Sequence, residues 1–164
     1  MNKILEKLKI IQELCICKGI SLGTAESCTG GMISNNITNL TNSSEFYKGS
    51  IIAYSNDIKI EILRVPESLL RKHGAVSEQV CEAMASGLLN ILKIDVAIAI
   101  TGLMEANDEL SSKNEQAFVT IKSHDEVLSA KIELGHERLV NKEKTSIFVI
   151  NTLHDFIQKN YLLS

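Results

Sequence analysis

A hydroxyl-rich turn, Thr24-Ala25-Glu26-Ser27-Cys28-Thr29-Gly30-Gly31, follows a short apolar segment and opens a helical pattern. A strand-to-helix turn of this kind presents unpaired backbone N–H groups at the positive end of a helix, which suits an anion or an oxyanion. Its two glycines let the backbone approach a ligand closely. Ser27 there is either a nucleophile or, with Thr29, an ordinary helix cap. Other chemistry is sparse. Cys15, Cys17, Cys28 and Cys81 contain no CxxC pair and no histidine at ligand spacing, so a zinc site is not indicated and buried, reduced thiols are expected. His124, His136 and His154 fall in a turn, a loop and a late helix, and they support no Ser/His/Asp order. Glu105, Asp108 and Glu109 read as a solvated loop and not as a metal site.

The elements that must position these groups are legible as alternating periods. Ile4, Leu8, Ile11 and Cys15 mark one helical face, closed by Lys18-Gly19. Ile20 to Ala25 is a strand, and Ile33, Ile37 and Leu40 mark the helix after the turn. A polar loop, 39–44, leads to a strand over Tyr47 to Tyr54. Asn56 is expected to cap a short helix that turns Ile58 and Ile62 inward, until Val65-Pro66 breaks it. A second short helix covers 67–72, and His73-Gly74 is a turn. Ser77 caps a longer helix with Val80, Cys81, Met84, Leu88 and Leu92 along one side.

Asp95 to Ile100 is a continuous apolar run, as in a strand buried on both faces. A polar, acidic loop is expected from Met104 to Gln116. Ala117 to Lys122 and Val127 to Leu134 form a hairpin, with Leu128, Ala130, Ile132 and Leu134 inward. A final helix is expected from about Lys144, burying Ile147, Ile150, Leu153 and Phe156 or Ile157. Strands alternating with helices predict a layered α/β domain, and the hairpin makes its sheet mixed.

The 164 residues predict one domain spanning 1–164. With 4% aromatic residues and no tryptophan the chain lacks stacking platforms for single-stranded nucleic acid, and a net charge of −3 provides no basic footprint for DNA or RNA. The apolar run Val96–Ile100 is far too short for a membrane span, and the N-terminus mixes Lys and Glu with Ile and Leu unlike a signal peptide. A cytoplasmic protein with neither membrane nor nucleic-acid partner is therefore expected.

Four segments, in order and spacing, resemble the signatures of the CinA C-terminal domain family. They are the turn 24–31, Tyr54-Ser55-Asn56 followed by Lys59, His73-Gly74-Ala75-Val76-Ser77-Glu78, and Thr101-Gly102. The resemblance covers about Ile4 to Tyr161. It implies a three-layer α/β/α fold with a mixed sheet, in a homo-oligomer. It also implies a stand-alone form without the molybdopterin-binding-like domain that precedes this one in several members. The implied activity is hydrolysis of the carboxamide of nicotinamide mononucleotide, a small-molecule nucleotide substrate, to nicotinate mononucleotide and ammonia. No metal or organic cofactor is called for.

The resemblance makes Ser27 the nucleophile and Lys59 its base, a role open to a lysine only when desolvation or nearby cations lower its pKa. Read from the residues alone, Lys59 is a solvated surface lysine. Tyr54 orients the lysine or contacts the substrate, or else packs in the core as a strand-end aromatic. Thr29, Gly30 and Gly31 supply amides to the oxyanion or to the phosphate. Glu26 either pairs near Lys59 or holds the turn through backbone bonds. Asn56, Thr101, Gly102 and Arg138 complete the expected substrate site, while His73 packs a turn.

The chain departs from the family pattern in two places. After Thr101-Gly102 a glycine- and proline-rich loop is expected, but Leu103-Met104-Glu105-Ala106-Asn107-Asp108-Glu109 stands there, bulkier and negative. The later Gly-Asp-Arg signature appears as Gly135-His136-Glu137, with Arg138 one step on, and the next expected arginine falls at Asn141 beside Lys142. Arginine forks suit phosphate, so these changes bear on the substrate more than on the fold. A non-catalytic relative that binds a ligand or partner, and an amidase for an uncharged or cationic carboxamide, are the alternatives.

Overall fold

Side chains that alternate along the strands divide between two apolar layers, one on each face of a single mixed sheet. The computed structural model describes residues 2–105 and 115–162. In chain order the elements are α1 (Asn2–Lys18), β1 (Leu22–Glu26), α2 (Met32–Thr38), β2 (Tyr47–Ile52), α3 (Asn56–Glu61), α4 (Glu67–His73), α5 (Glu78–Leu92), β3 (Val96–Leu103), β4 (Gln116–Lys122), β5 (Val127–Glu133) and α6 (Arg138–Ile157). The strand order is β2-β1-β3-β4-β5. β1 runs parallel to both of its neighbours, whereas β4 is antiparallel to β3 and β5.

The large side chains Leu22, Val96, Ile98, Ile100, Val119 and Ile121 pack under α1, α2 and α6. The small ones, Ala25, Ala97 and Ala99, face α5 together with the α3–α4 segment. Small residues on that face allow close approach. The Cys81 thiol of α5 donates to the carbonyls of Ala99 and Phe118, both at 3.2 Å. The chain leaves β1 through α2 on one face and leaves β2 through α3–α5 on the other. The carboxyl ends of β1 and β2 thus flank a point where the connections diverge, the usual place for a crevice in such sheets.

The helix expected from Lys144 starts six residues earlier, at Arg138. Its inward positions there are Asn141, Thr145 and Ser146, so the first turns carry no apolar stripe to read. Ile147, expected inside, is exposed, and both Phe156 and Ile157 are buried. In α3 the cap is Ser55 and not Asn56, with Ser55 Oγ accepting from the Ile58 amide at 3.3 Å. Ile62 is exposed, because Lys59 and Leu63 occupy the inward positions. β3 continues past Ile100 to Leu103. The acidic loop expected between Met104 and Gln116 lies, over 106–114, outside the described residues. No helix among the described residues is long and apolar enough to cross a membrane.

Gly87 shows where packing overrides propensity. It sits within α5, and a Cβ there would stand 1.8 Å from the Leu63 carbonyl oxygen. Helix propensity alone predicts a gain of about 1 kcal/mol for Gly87→Ala. Overpacking against rigid backbone predicts a loss of about 3 kcal/mol. Denaturant unfolding should show the loss.

Candidate functional site

Ser27 is held by both neighbouring strands. The Ala53 amide donates to the Glu26 carbonyl at 2.8 Å, and the Ser27 amide donates to the Ile100 carbonyl at 3.0 Å. The sheet ladder therefore runs into the turn and fixes Ser27 just beyond the end of β1. Lys59 arrives from α3. Helical side chains lean toward the helix N-terminus, which brings this one back over the end of β2. Its Nζ lies 3.1 Å from Ser27 Oγ and donates to the carbonyls of Ala53 at 2.8 Å and Tyr54 at 3.4 Å.

Lys59 is 1% exposed, in a setting without a carboxylate partner among the described residues. Burial pushes its ammonium below the ordinary lysine range, with the neighbouring Cys28 sulfur acting weakly in the opposite sense. Once neutral, the amine has two hydrogens and one lone pair. The two carbonyls accept the hydrogens, and the lone pair is left for the Ser27 hydroxyl. The geometry thus suits removal of a proton from Ser27. Cys28 itself is no competing nucleophile, because burial raises its thiol to about 12.

Glu26 resolves between its two expected roles. It does not pair with Lys59. Its Oε2 accepts from Thr29 Oγ1 at 2.7 Å and from the amides of Gly31 at 3.0 Å and Ile33 at 3.2 Å. Its Oε1 accepts from the Ser34 amide at 2.8 Å and from Thr24 Oγ1 at 3.3 Å. Gly31 occupies the N-cap position of α2 with no side chain to cap it, so the buried Glu26 carboxylate does so. The start of α2 therefore holds the protein's own anion. The Gly30 amide is also engaged, with the Ser27 carbonyl at 3.2 Å. Behind Glu26, Thr24 Oγ1 lies 2.6 Å from Tyr47 Oη and 2.9 Å from Ser50 Oγ, extending the buried network to β2.

A cavity of about 260 Å³ opens over Ser27 and Lys59. Of the residues expected at the site, Ser27, Lys59, Tyr54, Asn56, Thr101, Gly102 and Arg138 line it, while Glu26, Thr29, Gly30 and Gly31 do not. Tyr54 is 60% exposed, on the rim and not in the core. Its hydroxyl accepts from the Arg138 guanidinium at 2.8 Å. Asn56 is also exposed. Thr101 is buried, and its hydroxyl donates to the Ala75 carbonyl at 2.7 Å. His73 ends α4 and does not line the cavity.

Cys28, Ala75, Val76, Leu103 and Met104 also line it, without a role read from sequence. The signal for Ala75 and Val76 was their place within the third motif-like segment. Asn141, in a place where arginine was expected, is buried in backbone bonds. It accepts from the Gly135 amide at 3.0 Å and donates to the carbonyls of Met104 at 2.7 Å and Gly135 at 2.6 Å. Lys142 Nζ lies over the turn, 3.2 Å from where a Cβ on Gly30 would stand. A larger hollow of about 470 Å³, at the opposite ends of the parallel strands, is lined by Lys18, Asp95, Asp125 and Tyr161 among others, and by none of the expected site residues.

The model of the CinA C-terminal domain matches residues 5–157. A CinA-like protein of Mycobacterium sp. (strain MCS) is 35% identical over 149 residues, which are 90% of this chain and 35% of that protein. The chain thus spans about a third of the length of the curated relatives it matches. The crystal structure of a competence or damage-inducible protein from Enterobacter asburiae superposes with a TM-score of 0.87 at 28% identity, covering 94% of this chain and 98% of that one. The competence/damage inducible protein CihA from Agrobacterium tumefaciens does so with a TM-score of 0.84 at 29% identity, covering 92% and 93%.

Two consequences are measurable in folding. Glu26→Gln must turn an amide NH2 toward backbone N–H donors, whichever way the side chain is flipped. It should destabilise the protein by about 2 kcal/mol in denaturant unfolding. Lys59→Met removes a buried cation and should be the more stable protein at neutral pH. Because the folded lysine titrates below the unfolded one, the unfolded chain holds more protons between those two values, and wild-type stability rises with pH across that window. The advantage of Lys59→Met should therefore shrink as pH climbs toward the ordinary lysine range.

Proposed function

The chain belongs to the CinA C-terminal domain family, and from that membership and the Ser27–Lys59 contact we propose that it is an amidohydrolase acting on nicotinamide mononucleotide. In this reading neutral Lys59 takes the Ser27 proton while Oγ attacks the carboxamide carbon. The tetrahedral oxyanion needs amide donors, and with Gly30 and Gly31 engaged the candidate donor in the turn is the Thr29 amide. Lys59, now an ammonium, protonates the leaving nitrogen, and ammonia departs. The acyl group remains on Ser27 until water, deprotonated by Lys59, releases nicotinate mononucleotide and restores the hydroxyl. Arg138 at the rim is the guanidinium available to the phosphate.

The observation that carries this reading is the dry amine beside the hydroxyl, 3.1 Å away, at the floor of a cavity. A second reading, a ligand or partner binder without turnover, is favoured by Glu137 and by Asn141, which is fully engaged in backbone bonds. Ammonia release from nicotinamide mononucleotide separates the two. Ser27→Ala and Lys59→Ala should each lower kcat by roughly 10³-fold or more with the fold intact. A folded wild-type protein that releases no ammonia at high concentration would end the amidase reading. The rate should rise with pH and level off below the ordinary lysine range, since neutral Lys59 is the active form.

A further inference from the structure

One motif-like segment takes no part in the chemistry above. It is the stretch from Gly74 to Ser77 between α4 and α5, whose Ala75 and Val76 line the same cavity as Ser27 and Lys59. It is fastened at both ends. Gly74 leaves α4 at φ +76° and ψ 161°, a conformation essentially confined to glycine, with its amide on the Leu70 carbonyl at 2.9 Å. Ser77 caps α5 by accepting from the Val80 amide at 3.4 Å and donates back to the Gly74 carbonyl at 2.9 Å. Among the described residues, the middle of the strap has one further side-chain tie, the bond from Thr101 Oγ1 to the Ala75 carbonyl.

Thr101 can make that bond because of strand period. Ala97 and Ala99 face α5, so the next residue in phase, Thr101, does too, at the point where β3 passes beneath the strap. Its single hydroxyl hydrogen is committed to Ala75. It cannot also donate to a substrate. We infer that Thr101 is a positioning residue of the Ser27–Lys59 site, which holds the 74–77 strap as the apolar wall that keeps water from the lysine amine. This role rests on the amidase reading for its purpose, though not for its test.

Without the hydroxyl the Ala75 carbonyl loses its buried partner, the strap loosens, and water reaches Lys59. The consequence is better solvation of the ammonium, so the lysine holds its proton to higher pH. The experiment compares wild type, Thr101→Val and Thr101→Ser, with folding checked by thermal unfolding. One readout is the pH profile of ammonia release. The other is the Lys59 Nζ titration by NMR in protein with ¹⁵N-labelled lysine, assigned with Lys59→Met, which needs no turnover.

Thr101→Val should move both midpoints up by about one pH unit, with Thr101→Ser restoring them and KM unchanged within about twofold. Ala75→Gly, which loosens the strap while sparing Thr101, should move them the same way and serves if Thr101→Val does not fold. A Lys59 titration unchanged in a folded Thr101→Val or Ala75→Gly protein would overturn the inference. So would a rise in KM at an unshifted profile, which would make Thr101 a substrate contact. A wild type without turnover would remove the amidase reading and leave the NMR titration to judge this one.

Discussion

A lysine amine kept dry beside a serine hydroxyl is the constraint around which this fold is arranged. A buried ammonium is costly, and no carboxylate among the described residues neutralises this one. What it has is two carbonyl oxygens at the end of β2 and a hydroxyl at the end of β1. Parallel pairing of β1 with β2 brings those groups to the same edge of the sheet, and divergence of the connections onto opposite faces leaves space above them. A buried, perturbed lysine in a cleft is the kind of group that marks a candidate functional site.

The second buried charge is kept apart from the first. Glu26 is adjacent in sequence to Ser27, yet its carboxylate turns to the start of α2 and is satisfied there by backbone and hydroxyl donors. That separation has an electrostatic consequence. An ion pair with Glu26 would hold Lys59 in its charged form, whereas a carboxylate saturated by amides leaves desolvation as the leading influence on the amine. It also has a mechanical one. The turn that presents Ser27 is braced by Glu26 from within, and the Thr24–Tyr47–Ser50 network joins that brace to β2.

Of the departures from the family pattern among the described residues, Leu103 and Met104 line the cavity and Asn141 bonds the Met104 carbonyl. Asn141 stands at a buried position of α6 and ties the Gly135 turn to Met104, which lines the cavity just past the end of β3. A residue so used has no donor to spare for a ligand. Among the described residues, Arg138 lines the cavity and rests on Tyr54, while Lys142 lies over Gly30 of the turn. Ser27 thus sits just past the end of β1 and Lys59 on α3, while the changes among the described residues fall at the end of β3 and the start of α6.

Much of this was readable from residue order. Helical and strand periods located β1, the cap at Ser77, α5 and the hairpin, because in those elements the buried positions carry apolar side chains. The family-like motifs singled out Ser27 and Lys59. Where buried positions carry polar residues, the period was lost. Asn141, Thr145 and Ser146 concealed the first turns of α6, and Lys59 at an inward position made Ile62 look like the core residue of α3. What residue order could not supply was direction. Whether Glu26 turned to Lys59 or to α2, and whether Tyr54 faced the core or the rim, depended on atoms brought together from distant parts of the chain. Only the assembled sheet set those distances, and with them the dry contact between an amine and a hydroxyl 32 residues apart.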